Sequence, residues 1–142
     1  MDKLYNHKFP NLCNVAEKQT SPVDGRYNCI AWAFKDNRRW WWPCKHPRVY
    51  WPLDFSKKTE MEAFEDLFDQ DGWEQTENCV YEISYEKVAL YTLNNEPTHA
   101  ARLLENGTWT SKLGPGIDLG HSLECLNGPE YGSLFKVYRK PA

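Results

Sequence analysis

The middle of the chain holds three short apolar segments separated by turn residues, and this pattern constrains the fold more than any other. The segments are residues 87–93, 98–104 and 108–113. The first is almost continuously apolar, which is typical of a central strand. Asn94-Asn95-Glu96-Pro97 leads into the second segment and Glu105-Asn106-Gly107 leads into the third. The pattern predicts three neighbouring antiparallel strands.

Alternation within these segments assigns their side chains to the two faces of the predicted sheet. One face carries His99, Ala101 and Leu103 from the second segment and Trp109, Ser111 and Leu113 from the third. These sets meet on one face only if three residues connect the strands, rather than a two-residue Asn-Gly turn. In that register Ser111 pairs with Ala101 and lies diagonal to His99. A two-residue turn would instead bring Lys112 to the side of His99 and bury its ammonium group.

Two helices are predicted before this run of strands. Asn28 is a favoured N-cap residue, so Cys29 becomes the first residue of a short helix that continues to about Asp36 or Asn37. Thr59 and Glu62 fit a capping box for a second helix, and Gly72 is well placed to end it. The inward stripe of that helix is Met61, Phe64, Leu67 and Phe68.

The rest of the chain has weaker signals. They predict an irregular arm over residues 1–25, a loop over 43–55, a short strand over 79–84, a short helix over 119–126 and a last strand over 134–139. The predicted fold class is α+β, with an N-terminal Cys-bearing helix, a second helix and an antiparallel sheet of four to five strands. With 142 residues and 41% hydrophobic content, the chain fits one domain over residues 1–142.

Composition and charge exclude several functional classes. The net charge is −3 and the basic residues are scattered, which argues against nucleic-acid binding. No apolar run approaches the length of a membrane span, and no secretion signal opens the chain. The five cysteines form no C-x-x-C pair, so neither a metal site nor a disulfide framework is expected, nor any cofactor. A cytoplasmic location is the simplest expectation, with export by a specialised machine left open.

Cys29 and His99 are the strongest candidates for chemistry. At a helix N-terminus, unpaired N–H groups and the helix dipole favour a thiolate. His99 enters an apolar face at the start of a strand, where an imidazole suits a general base. The structural alternatives are a buried thiol and a core histidine with satisfied nitrogens.

The run Trp40-Trp41-Trp42 has two interpretations. In an extended chain Trp40 and Trp42 point one way and Trp41 the other, so at least one ring is expected near solvent. The functional interpretation is a stacking wall that binds substrate beside a cleft. The structural interpretation, a core plug with one residue at its rim, is favoured because Trp is highly buried on average.

The sequence resembles the compact papain-like hydrolases of the NlpC and CHAP type. Tyr27-Asn28-Cys29-Ile30-Ala31-Trp32 is similar to their Cys-bearing helix start, and the strands at 87–93, 98–104 and 108–113 are similar to their strand, His-strand and polar-strand run. The resemblance implies a papain-like fold, with Cys29 as nucleophile, His99 as base and Ser111 as the third residue.

The third position departs from that family, where His, Asn, Gln or an acid is usual. Asp118 and His121 are therefore further candidates for orienting the imidazole. Tyr27, Asn28 and the Cys29 N–H are candidates for orienting groups or for holding an oxyanion.

The chain is also similar to a group of small bacterial proteins without a known activity. The shared motifs are N-C-I-A-W-A, a Trp-rich stretch, T-H-A-A-R, G-x-W-T-S-K-L-G and a closing Tyr131-Gly132. This likeness spans most of the chain and implies no reaction.

Two functions follow as expectations. The first is a thiol-dependent amide hydrolase or acyl transferase, that is, a peptidase, amidase or deamidase acting on a peptide or protein amide. The second is a non-catalytic module on the same fold that binds a protein partner through Trp40, Trp41 and Trp42.

Overall fold

A seven-stranded antiparallel sheet forms the centre of the computed structural model, which describes residues 19–21, 26–112, 118–121, 123, 127–128 and 131–142. In chain order the elements are β1 (Gln19–Ser21), α1 (Cys29–Ala33), β2 (Trp40–Trp41), β3 (Val49–Tyr50), α2 (Glu60–Gln70), β4 (Glu74–Thr76), β5 (Tyr85–Leu93), β6 (Glu96–Leu103), β7 (Trp109–Lys112), β8 (Asp118–His121) and β9 (Ser133–Pro141). The strand order across the sheet is β1-β8-β7-β6-β5-β9-β4, while β2 and β3 pair separately and in parallel. The predicted α+β class is confirmed.

Two tight turns connect the three central strands. Asn94 and Asn95 both have positive φ, 53° and 63°, as a two-residue hairpin turn requires. At the next turn the Leu104 N–H donates to the Thr108 carbonyl at 2.9 Å, and Gly107 has a φ of 86°. Three residues, 105–107, therefore lie between the paired Leu104 and Thr108, and this gives the predicted register. The register sets Arg102 opposite Thr110, and its continuation by one residue sets Ala101 opposite Ser111.

Helix α1 begins as predicted and ends early. The Asn28 side chain caps it by accepting from the Ala31 N–H at 3.1 Å. The same side chain accepts from the Trp41 N–H at 3.1 Å and donates to the Trp41 carbonyl at 2.7 Å, which ties the helix to β2. The predicted end at Asp36 or Asn37 is wrong, because Lys35 takes a left-handed φ of 65° directly after the last turn.

Helix α2 has the predicted capping box. The Thr59 hydroxyl accepts from the Glu62 N–H at 3.1 Å, and the Glu62 carboxylate accepts from the Thr59 N–H at 2.9 Å. Gly72 follows the helix with a φ of 85°. Phe64, Leu67 and Phe68 of the predicted apolar stripe are buried in the helix-face core, whereas Met61 is half-buried.

The two faces of the sheet carry separate cores. The helix face packs against α1 and α2 and includes Ile30, Phe64, Phe68, Val88, Leu90, Ala100 and Tyr138. The second face includes Ala89, Tyr91, Ala101, Trp109, Leu123, Tyr131 and Val137. Each central strand contributes alternate residues to the two cores, as its pleat requires.

Several weak sequence signals gave wrong predictions. Among the described residues the sheet has seven strands rather than four to five, because β1, β4 and β8 are short and poorly patterned. Residues 79–84 form a loop, Leu119 to His121 belong to a strand rather than a helix, and β3 lies inside the predicted loop 43–55. Of the predicted arm 1–25, only 19–21 lie within the described residues, and they form β1.

The loop at 79–84 is held by a buried lysine. The ammonium of Lys87, whose side chain is inaccessible, donates to the Asn78 and Val80 carbonyls at 2.7 Å and pairs with Glu82 at 2.7 Å. Three donors thus meet three oxygens. This set of contacts explains how a charged residue occupies the interior of β5.

Candidate functional site

Cys29 lies on the helix face of the sheet. It is the first residue of α1 and is 5% exposed, in a core that includes Ala100 of β6. Its environment is therefore apolar on the side where the helix meets the sheet.

His99 lies on the second face. Its ring is completely buried and stacks on Tyr131, with centroids 3.9 Å apart and planes 13° apart, and it lies 5.6 Å from the ring of its strand partner Tyr91. Neither ring nitrogen of His99 makes a hydrogen bond within the described part of the chain.

Cys29 and His99, the predicted nucleophile and base, therefore lie on opposite faces of the sheet, and no hydrogen bond joins them. Successive residues of a strand face opposite sides of the sheet, and Ala100 is the residue of β6 that packs with α1. His99, one position earlier, must point away from the helix. This is a correction to the predicted thiol-imidazole pair.

Ser111 has a different imidazole as its partner. Its Oγ lies 2.6 Å from Nε2 of His121, and both side chains are buried, with exposures of 0% and 6%. In the register of β7 and β8, Ser111 pairs with Leu119 and Trp109 pairs with His121, so the bond runs diagonally across the two strands. His121, predicted as an orienting group, is thus joined to Ser111 instead.

These three residues form one polar cluster on the second face, the His99–Ser111–His121 cluster. Burial, and secondarily the charge of His121, lowers the pKa of His99 well below its usual value of 6.5. His99 is therefore neutral at neutral pH, with one nitrogen that donates and one that accepts.

Tyr91 and Tyr131, which were not among the predicted site residues, lie against the His99 ring. The Tyr91 hydroxyl donates to the Leu123 carbonyl at 2.7 Å, and the Thr98 hydroxyl donates to the Tyr131 carbonyl at 2.5 Å. Gly132 has a φ of 78°, and a Cβ there would lie 2.0 Å from the Thr92 carbonyl oxygen. Only glycine permits this approach, which holds Tyr131 over His99. The closing Tyr131-Gly132 motif was the sequence signal for this contact.

Two other predicted site residues, Tyr27 and Asn28, lie on the helix face, away from the cluster. Tyr27 is buried on the helix face, with its ring 6.2 Å from that of Trp32, and the Asn28 amide is engaged in capping and in its bonds to Trp41. Asp118 begins β8 opposite Lys112 in the backbone register.

The Trp-rich stretch belongs largely to the core. Trp41 is 8% exposed and stacks on Phe34 at 5.4 Å, and Trp42 packs edge-on against Phe64 at 5.3 Å while its indole N–H donates to Glu60. Trp40 is half-buried. Trp41 is therefore a core residue, as the structural interpretation expects. Only the exposed parts of Trp40 and Trp42 are accessible to a ligand.

In the part of the chain that the structure describes, no three His, Cys, Asp or Glu residues lie together in a way that would hold a metal ion. None of the helices in this part combines the length and the apolar character needed to cross a membrane.

Comparison with known proteins identifies a family. Residues 18–139 match the model of a family described as a domain of unknown function, DUF7689. The chain belongs to this family. No curated protein and no solved structure matches it. Membership in this family implies no activity.

Proposed function

We propose that the protein is a hydrolase or acyl transferase acting on amides or esters, with its reacting groups on the second face of the sheet. The observation that carries this proposal is the 2.6 Å contact between Ser111 Oγ and His121 Nε2, beside the neutral imidazole of His99. A hydroxyl paired with an imidazole is the usual nucleophile and base of acyl transfer.

The order of elements supports a papain-like arrangement in its broad form. A Cys-bearing helix precedes a strand that carries His99 and a strand that carries Ser111. The proposal departs from that family in the nucleophile, because the thiol of Cys29 packs on the opposite face of the sheet from His99.

The proposed reaction proceeds in two steps. When the proton of His121 is on Nδ1, the Ser111 hydroxyl donates to Nε2. Oγ then bonds to the carbonyl carbon, its proton passes to Nε2, and the bond from carbon to the leaving group breaks as Nε2 returns the proton to the amine or alcohol. Water, or an acceptor amine, releases the acyl group from Ser111 by the same route in reverse.

His99 serves as a substrate-binding group in this proposal. A buried imidazole whose two nitrogens make no hydrogen bond lowers the stability of the fold, unless a ligand or a water molecule bonds to them. Its N–H is suited to donate to the substrate carbonyl oxygen, where such a donor is typically worth about 3 kcal/mol of activation free energy.

Hydrolysis of p-nitrophenyl acetate and of aminoacyl p-nitroanilides tests the proposal. Ser111→Ala and His121→Asn are each expected to lower kcat/KM at least about 10³-fold. Cys29→Ala, which removes the nucleophile of the thiol mechanism, is expected to retain activity. Loss of activity in Cys29→Ala with retention in Ser111→Ala would reverse the assignment in favour of the thiol.

A second candidate function is a non-catalytic binding module. It is favoured by the complete burial of Ser111 and by the position of Cys29 inside the other core. Absence of turnover on every ester and anilide, in a protein that is folded and monodisperse, would support this module over the hydrolase.

A further inference from the structure

A cleft of about 530 Å³ opens at the end of the sheet where β5 begins and where β6 and β9 end. The last turn of α1 and the residues after α2 close its other side. None of His99, Ser111 and His121 lines it, so it is separate from the proposed reacting groups. Its volume lies in the range of sites that bind small molecules.

Four aromatic side chains line the cleft: Phe34, Trp73, Tyr81 and Tyr85. Trp73 is fixed by an edge contact with Phe34 at 5.9 Å and by a hydrogen bond from its indole N–H to Asp71 at 2.9 Å. Tyr81 is 37% exposed and stands at the rim. One face of Phe34 is stacked on Trp41 and one face of Tyr85 is covered by Arg139, so Trp73 and Tyr81 are the main flat apolar surfaces of a site that is otherwise polar.

The charged side chains of the cleft balance. Apart from Lys87, whose ammonium is bound within the 78–82 loop, the lining holds three cations, Lys35, Arg102 and Lys140, and three acids, Asp71, Glu86 and Glu105. Lys35 pairs with Glu86, and Lys140 lies 3.2 Å from Asp71. An anionic or a cationic ligand would find no excess of the opposite charge.

The geometry points to a neutral saccharide of one or two sugar rings as the ligand of this cleft. Each sugar hydroxyl both donates and accepts, so it can bridge a carboxylate and a neighbouring cation. The C–H face of a sugar ring is flat and apolar and suits stacking on an aromatic ring. The cleft supplies both requirements side by side.

The rim of the cleft is organised before any ligand binds. Tyr81 belongs to the loop that Lys87 holds through Asn78, Val80 and Glu82. The indole N–H of Trp109 donates to the Cys79 carbonyl of the same loop at 3.1 Å. Holding Tyr81 in place reduces the ordering cost of binding.

Titration of the ¹⁵N-labelled protein by NMR tests the inference, with cellobiose, chitobiose and maltose as neutral probes and glucuronate, glucosamine and inorganic phosphate as charged ones. At least one neutral disaccharide is expected to shift the Trp73 indole N–H resonance saturably. Tyr81→Ala is expected to weaken that binding about fivefold, the loss of one stacking contact.

Ile83→Ala is the matched control, because Ile83 lies in the same loop, is 82% exposed and does not line the cleft. It is expected to leave the affinity unchanged. The inference is overturned if no neutral disaccharide shifts the Trp73 resonance, if only a charged probe does so, or if Tyr81→Ala binds as tightly as the unmodified protein. The outcome is independent of the hydrolase proposal, since neither the cleft nor the probes involve Ser111.

Discussion

The Ser111 hydroxyl lies 2.6 Å from Nε2 of His121, and both side chains are buried between neighbouring strands. Removal of the hydroxyl leaves a buried ring nitrogen without this bond. Ser111→Ala is therefore expected to lower the free energy of unfolding by about 1–3 kcal/mol, measured by urea denaturation. Ser133→Ala changes an exposed serine on β9 and is expected to stay within about 0.5 kcal/mol. If Ser111→Ala leaves the free energy of unfolding unchanged, the contact contributes nothing to the stability of the fold.

Acid is expected to destabilise the protein through His99. Its folded-state pKa is lowered well below 6.5 by burial and by His121, whereas the unfolded chain binds the proton near pH 6.5. Unfolding therefore takes up a proton below that pH. The contribution of His99 is constant above about pH 6.5, and below it the free energy of unfolding falls by up to about 1.4 kcal/mol per pH unit, until the pH reaches the lowered pKa.

Urea denaturation between pH 5 and pH 8 measures this slope. His99→Gln is expected to flatten it, because the replacement does not titrate. His46→Gln removes an exposed histidine and is expected to leave the slope unchanged. An equal slope in His99→Gln and the unmodified protein would contradict the neutral, buried state of His99.

Gly132 is expected to be far less tolerant of substitution than Gly107. Both have positive φ, 78° and 86°, but a Cβ at Gly132 would lie 2.0 Å from the Thr92 carbonyl oxygen, whereas at Gly107 nothing lies within 4 Å. Gly107→Ala is expected to cost about 1–2 kcal/mol from backbone strain alone. Gly132→Ala should cost at least about 3 kcal/mol and displace Tyr131 from His99, which thermal denaturation and the His99 ring resonances would report. Equal costs would contradict the close approach at Gly132.

Cys29 is expected to react slowly with iodoacetamide. It is 5% exposed in the helix-face core, whereas Cys44 is exposed. Alkylation followed by peptide mass spectrometry at pH 7 should modify Cys44 at least about 100-fold faster, because reactive cysteines need access as well as thiolate character. Rapid, selective modification of Cys29 that His99→Ala abolishes would instead support the thiol mechanism.

Local sequence patterns correctly predicted the helix caps and one strand register, because neighbouring residues determine these features. Asn28 caps α1 and Thr59 with Glu62 caps α2, because these bonds span three residues. Alternation on either side of Gly107 was sufficient for the three-residue connection and for the register that sets Ala101 opposite Ser111. These features are governed by short-range geometry.

The predicted pairing of Cys29 with His99 could not be tested by alternation alone. Alternation separates His99 from Ala100 but does not indicate which of the two faces α1 covers. That choice depends on how the apolar surfaces of α1 and α2 pack on Val88, Leu90 and Ala100, a tertiary property. The short edge strands were missed for a similar reason. Segments of three residues, such as β1 and β4, become strands because they pair with a neighbouring strand, and their own sequence pattern is too short to show this.

The residue that a fluorophosphonate modifies identifies the nucleophile. Such a reagent forms a covalent adduct with a serine that an imidazole activates, and peptide mass spectrometry locates the adduct. We expect slow formation of one adduct, on Ser111, because its side chain is buried. The adduct should be lost in His121→Asn and retained in Cys29→Ala. A folded protein that carries no adduct on Ser111, or that is modified equally in His121→Asn, would contradict the account.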